Sequence, residues 1–157
     1  MSHVDMNKEL ILSRKPPAAR RECREQANLD TVRARDAAYN AQAEGWIDAY
    51  AASLSDDFVY QAYGPWAPGG MTTDRDGLIA AARTGASYYP DRKSVVLSAI
   101  ASGDTVFVET EWSGTASDQH PTLQKGDRET MRELFIYHFR DGKIVELRYY
   151  VIVLPTR

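Results

Sequence analysis

Residues 131–151 read Met131-Arg-Glu-Leu-Phe-Ile-Tyr-His-Phe-Arg-Asp-Gly-Lys-Ile-Val-Glu-Leu-Arg-Tyr-Tyr-Val151. Two strand-like runs flank Asp141-Gly142, and that pair at a tight turn is the strongest short-range hairpin signal. Strand side chains alternate between faces, so Met131, Glu133, Phe135, Tyr137 and Phe139 share one face. That face is apolar except for one carboxylate. Such a group is either tolerated at the rim of a sheet or placed there to handle a proton.

A chain of 157 residues with 43% hydrophobic content is expected to form a single domain with a real core. The net charge of −3 provides no global field that would draw it to nucleic acid. Cys23 is the lone cysteine. It has no histidine near it in sequence, so it reads as inert. An intrachain disulfide and a cysteine-rich zinc site are excluded, and a cytoplasmic location fits. No signal-peptide h-region is visible, and no run approaches the roughly 20 apolar residues needed to cross a bilayer. Residues 1–35 hold eight Lys/Arg against five Asp/Glu, and the remainder holds eleven against seventeen. With no aromatic residue before Tyr39 to stack on bases, the basic arm reads as lying on an acidic body rather than on nucleic acid.

Residues 1–17 are expected to form a loosely held arm and residues 18–157 a single domain. A helix is predicted from Ala18 to Glu44, or a fresh one capped at Asn28 or Asp30, with Gly45 ending it and a short helix from Trp46 to Leu54 following. A first strand runs from Phe58 to Ala62. The glycines and prolines from Gly64 to Gly70 predict a loop. Thr73 or Asp74 caps a third helix through Arg83. Strands over 94–101 and 105–113 and a polar loop over 114–128 lead into the hairpin. Helices that precede runs of strands, without alternation, point to α+β: an antiparallel sheet with helices on one face.

Several stretches carry a resemblance. Residues 39–60, Tyr39-Asn-Ala-Gln-Ala-Glu-Gly-Trp-Ile-Asp-Ala-Tyr-Ala-Ala-Ser-Leu-Ser-Asp-Asp-Phe-Val-Tyr60, combine an aromatic helix, a short second helix, an Asp-Asp pair and a strand. Thr73-Asp-Arg-Asp-Gly-Leu-Ile79, Glu111-Trp-Ser-Gly114 and Asp141-Gly-Lys-Ile-Val-Glu146 follow at matching spacing. Across residues 30–152 the order resembles the nuclear-transport-factor-two-like cone. That fold is shared by ketosteroid isomerase, scytalone dehydratase, limonene epoxide hydrolase and the SnoaL-like polyketide cyclases. The resemblance implies a cone-shaped curved sheet wrapped around N-terminal helices, with a deep apolar pocket on the concave face. The pocket lining would be Tyr60, Ala62, Val106, Val108, Thr110, Trp112, Met131, Glu133, Phe135, Tyr137, Phe139, Leu147, Tyr149 and Val151. Tyr39 would point in from the first helix, as the isomerases' tyrosine does. Ala62 or Tyr63 stands where the isomerases have their general-base aspartate, and Phe135 stands near their protonated aspartate. Tyr150-Val151 replaces the cyclases' acid. Steroid isomerisation by that mechanism is therefore not expected. The fold hosts both enzymes and pure binders.

Glu133 is the leading catalytic candidate, because burial among apolar groups disfavours the carboxylate and raises its pKa. One residue of register slip would send it to the other face. Tyr39 and His120 are the other catalytic candidates, the first as a hydrogen-bond donor and the second as a residue of a loop lid that exchanges protons. An exposed loop histidine is the competing reading of His120. Substrate contacts are assigned to Tyr60, Tyr63, Trp66, Trp112, Phe135, Tyr137 and Tyr149, whose rings would stack on an aromatic ligand. Tyr88 and Tyr89 would bound the pocket mouth with Trp66. Glu109, Glu111, Arg132 and Arg148 should face outward, where homodimer formation is expected, and His138 should also face away. No metal signature and no cofactor motif is present, and no nucleic-acid or membrane partner is expected. The leading function is a cofactor-independent lyase or dehydratase, cyclase or isomerase acting on a small hydrophobic, aromatic or phenolic molecule. The alternative is a non-catalytic ligand-binding or interaction protein. Epoxide hydrolysis ranks third, since no Asp-Arg-Asp-like cluster can be assembled.

Overall fold

The hairpin forms as a strand β5 (Arg128–Arg140) and a strand β6 (Lys143–Val153) joined by two residues. Asp141 and Gly142 both have positive φ, 51° and 75°. This is the type I′ geometry whose twist matches that of the flanking strands. The pairing begins at Arg140–Lys143 and Phe139–Ile144, then shifts so that His138 faces Glu146. Val145 is therefore the extra residue of a β-bulge. From there Tyr137 faces Leu147, Phe135 faces Tyr149 and Glu133 faces Val151.

The computed structural model describes residues 17–155, so the expected arm, apart from Pro17, lies outside the described residues. In chain order, α1 (Pro17–Ala41) and α2 (Trp46–Ala51) precede β1 (Leu54–Gly64) and β2 (Ala67–Asp74). Then come α3 (Arg75–Tyr88), β3 (Lys93–Ser102) and β4 (Thr105–Thr115), and the β5–β6 hairpin closes the chain. The sheet order is β2-β1-β6-β5-β4-β3, curved and unclosed, with the helices against it.

The sheet is mixed rather than wholly antiparallel, because β1 runs parallel to β6. The predicted loop over Gly64–Gly70 is largely strand: β2 begins at Ala67 and pairs with β1 as a sheet edge. Pro68 is tolerated there because an edge strand has a free hydrogen-bonding side. The first helix stops at Ala41, ahead of the expected Glu44. Gln42 takes a left-handed φ of 52° and its side-chain amide donates to the Arg92 carbonyl at 2.8 Å. Leu54 opens β1 rather than closing α2; it is buried and pairs with Ile144. Of the two expected candidates, Thr73 and Asp74, it is Asp74 that caps α3, its Oδ1 accepting from the Gly77 N–H at 2.9 Å.

The core lies between α1 and the concave sheet face. Val32 of α1 packs with Phe58, Tyr60, Val108, Tyr137 and Leu147. The buried stripe of α1 is Asn28, Val32 and Arg35, at helical spacing. Arg35 is 2% exposed, with its guanidinium carbon 3.7 Å from the centre of the Tyr50 ring. The ring face of Tyr50 compensates part of the desolvated charge.

Candidate functional site

Glu133 is 4% exposed and sits on the concave face. Directly across the ladder is Thr110. Its hydroxyl donates to Glu133 Oε2 at 2.7 Å. The second donor lies diagonally across the hairpin, because the bulge places Tyr149 opposite Phe135. The Tyr149 hydroxyl donates a short hydrogen bond to Glu133 Oε1. Cross-strand and diagonal neighbours on one face are within this reach. No arginine or lysine forms an ion pair with Glu133 among the described residues. Burial pushes its carboxyl up to about 7, the Tyr149 and Thr110 hydroxyls pull it down, and the negative charge of Asp36 pushes it up. A carboxyl placed so exchanges a proton near neutrality.

Aromatic rings enclose this carboxyl. Phe135 and Tyr149 stack at 4.7 Å, and Tyr60 and Tyr149 at 6.3 Å. Tyr137 stacks on Phe135 at 5.9 Å and is 2% exposed. Burial holds the Tyr60, Tyr137 and Tyr149 phenols well above their ordinary pKa, so they are hydrogen-bond donors at neutral pH. Tyr39 comes in from α1, and its oxygen accepts from Trp112 Nε1–H at 2.9 Å. That leaves its own O–H without an acceptor among the described residues. Arg92, 3% exposed, lies 4.7 Å from the Tyr39 ring centre and 4.6 Å from that of Trp46.

Three expected residues go elsewhere. Tyr63 is 40% exposed and stacks on Tyr150 at 5.0 Å, on the opposite sheet face from Glu133. Trp66 is 51% exposed in the β1–β2 turn and touches the site only through Tyr149, at 6.2 Å between ring centres. His120 lies one layer out, on Tyr89 and Glu129, with Tyr89 edge-on to Trp112 at 4.8 Å. Its Nδ1 accepts from the N–H of Leu123 at 2.8 Å and of Thr122 at 3.3 Å. The neutral ring therefore carries its proton on Nε2, 2.9 Å from the Tyr89 oxygen. Tyr89 in turn donates to Glu129 Oε2. Gly114 permits this packing, since a Cβ there would lie 2.7 Å from the Trp112 ring and 2.9 Å from Tyr89. Tyr88 edges the same imidazole at 5.3 Å.

Glu109 and Glu111 face outward and share Arg132, at 3.0 and 3.3 Å. His138 also faces outward, its Nδ1 3.1 Å from Thr105 Oγ1. Among the described residues no three His, Cys, Asp or Glu side chains are gathered to hold a metal ion. No described helix is long and apolar enough to cross a membrane.

Reading the sequence missed Asp36. Its Oδ2 is buried without a hydrogen-bond partner, and burial pushes the carboxyl up to about 6 against the pull of Arg35. The signal was available: positions 28, 32, 35, 36 and 39 fall on one stripe of a 3.6-residue helix. Arg92 gave no such signal, because it follows a helix and lies in no periodic run.

A family model described as the SnoaL-like domain matches residues 36–147. The chain belongs to the SnoaL-like family. No curated protein matches it. Solved structures share the fold of this SnoaL-like protein at low identity. A Jannaschia sp. CCS1 protein, provisionally designated a SnoaL-like polyketide cyclase, is 21% identical with a TM-score of 0.68, over 81% of this chain and 86% of its own. IdmH from Streptomyces antibioticus, provisionally designated a polyketide cyclase, is 23% identical with a TM-score of 0.64, over 80% of this chain and 91% of its own. A Catenulispora acidiphila protein with a ketosteroid isomerase-like fold is 18% identical with a TM-score of 0.60, over 76% and 83% of the two chains.

Proposed function

We propose that this SnoaL-like protein is a cofactor-independent acid–base enzyme acting on a small aromatic or phenolic substrate. The reaction would be a dehydration or other lyase step, a cyclisation or an isomerisation. The observation that carries this reading is the Glu133 carboxyl, buried, free of any ion pair among the described residues and held at about 7 between two hydroxyl donors. Glu133 moves a proton to or from carbon or a leaving hydroxyl. The uncommitted O–H of Tyr39 holds the substrate oxygen and stabilises charge developing there. A substrate would displace the half-exposed Trp66 from Tyr149 and stack on the rings behind it.

The test is turnover of a panel of phenolic hydroxy-ketones and polyketide-like compounds by wild type and Glu133→Gln. The expected loss in the variant is about 10²–10⁴ in kcat. Unchanged turnover in the variant removes Glu133 from the mechanism, and no turnover across the panel removes the enzyme reading. Two observations favour a non-catalytic protein instead. Both Glu133 oxygens already have protein donors, and neither the cavity beside Asp36 nor the one between α1 and the β5–β6 turn is lined by this residue.

We further propose that the chain self-associates through the convex sheet face. Ile152 is 67%, Ile100 62% and Phe107 41% exposed there, with Arg132 and its two glutamates among them. Exposed apolar groups on a sheet face mark an interaction surface.

A further inference from the structure

The half-buried Asp36 lines a cavity of about 220 Å³ between α1 and the β3–β4 edge. Leu29 and Val32 of α1 form one wall, and Val96, Ala99 and Val108 form the other. The cavity has a structural cause. The β3–β4 register shifts between Val96 and Ser98, leaving Leu97 outside the ladder. A bulge bends the edge strand that carries it, and residues 96–98 of this bulge line the cavity. Val96 and Leu97 stay 43% and 47% exposed, so the opening is at this edge. Asp36 Oδ2 has no hydrogen-bond partner among the described residues, although it is shielded from solvent. A buried acceptor without a donor is costly, and few native groups are left so.

We propose that this cavity binds a small neutral alcohol or phenol, with its hydroxyl donating to Asp36 and its apolar body between α1 and β3. Size sets the first limit: an apolar cavity of roughly 150 Å³ admits one benzene ring, so about 220 Å³ takes a single substituted ring or a short branched chain. Charge sets the second. The Asp36 carboxylate repels an anion. Arg35 adjoins Asp36 in the core, and Arg33, which lines the cavity, is paired with Asp30 at 3.4 Å, so the two guanidiniums and two carboxylates of this stretch of α1 already match and an ammonium gains little. A neutral donor completes Oδ2 without adding charge. The site shares no residue with the Glu133 cluster, so it stands or falls separately from the proposed reaction.

The test is titration of ¹⁵N-labelled protein at about pH 7.5 with phenol, toluene and benzylamine, following amide shifts. Phenol should saturate shifts at Leu29, Val32 and residues 96–99, with a Kd about tenfold below that of toluene, the value of one hydrogen bond to a charged acceptor. Asp36→Leu should narrow that preference to within about twofold, and Ala99→Leu should abolish binding of both. Glu133→Gln should leave it unchanged. The wild-type comparison of phenol with toluene decides the matter even if a variant fails to fold. Equal affinities, no saturable shifts at the cavity, or benzylamine binding tightest would overturn the proposal.

Discussion

Replacing Glu133 by Gln should make the fold more stable in alkali and less stable in acid. The carboxyl moves from 4.5 to about 7 on folding, mainly through burial. The folded state therefore binds this proton more tightly than the unfolded chain. The associated stability is fully present below about pH 4.5 and is lost as pH rises through about 7. At about 1.36 kcal/mol per pKa step, the loss is roughly 3 kcal/mol in wild type. Gln keeps the shape and never ionises, so it escapes this loss. It does weaken the Thr110 and Tyr149 hydrogen bonds, which costs about 1 kcal/mol. The variant should exceed wild type by roughly 2 kcal/mol at about pH 8.5, which raises Tm by about 4–8 °C for a chain of this size. Near pH 4 it should fall about 1 kcal/mol below wild type. Asp36 titrates in the same sense and is present in both proteins, so its own burial cancels, while the part of the Glu133 rise that comes from its charge is lost with the carboxyl. Calorimetric melts of the two proteins from about pH 4 to 8.5 check this. A Tm difference of the same sign and size at every pH would refute the reasoning, because it would mean that Glu133 does not titrate differently in the fold.

Tyr149→Phe removes a donor that holds the Glu133 carboxyl down, so the carboxyl should titrate above about 7; carboxyl ¹³C shifts read this directly. Tyr89→Phe breaks the bridge between His120 and Glu129 and should cost roughly 1–2 kcal/mol, with faster hydrogen exchange at amides 117–127 than in wild type. Phe107→Lys, on the convex face, should shift a concentration-dependent dimer to monomer in sedimentation velocity with the melting curve nearly unchanged; an unaltered dimer would place the interface elsewhere.

Much of the fold was legible locally. The hairpin turn, the cap at Thr73 or Asp74 and the helix-forming composition of α1 follow from residues a few positions apart, where turn chemistry and propensity act. The strand β2 was not, because Gly and Pro there oppose strand formation and pairing with β1 overrides them. His120 was offered to the site as a loop-lid residue, against an exposed-loop reading, and Tyr63 as one of a set of tyrosines. His120 instead folds its Nδ1 onto its own turn, and Tyr63 falls on the odd face of β1.

The alternation of Met131 to Phe139 put an acid into an apolar row, and this came from sequence alone. Its partners did not. A two-residue turn without a bulge would pair Glu133 with Tyr150 and send Tyr149 to the outer face. The extra residue at Val145 reverses that parity, bringing Leu147, Tyr149 and Val151 to the side of Glu133. Side chains alternate with period two, so a single inserted residue exchanges the two faces of a strand. Ile144 is fully buried in parallel contact with Leu54 while Leu147 packs in the core. Satisfying both requires the bulge, and only the assembled core imposes both at once.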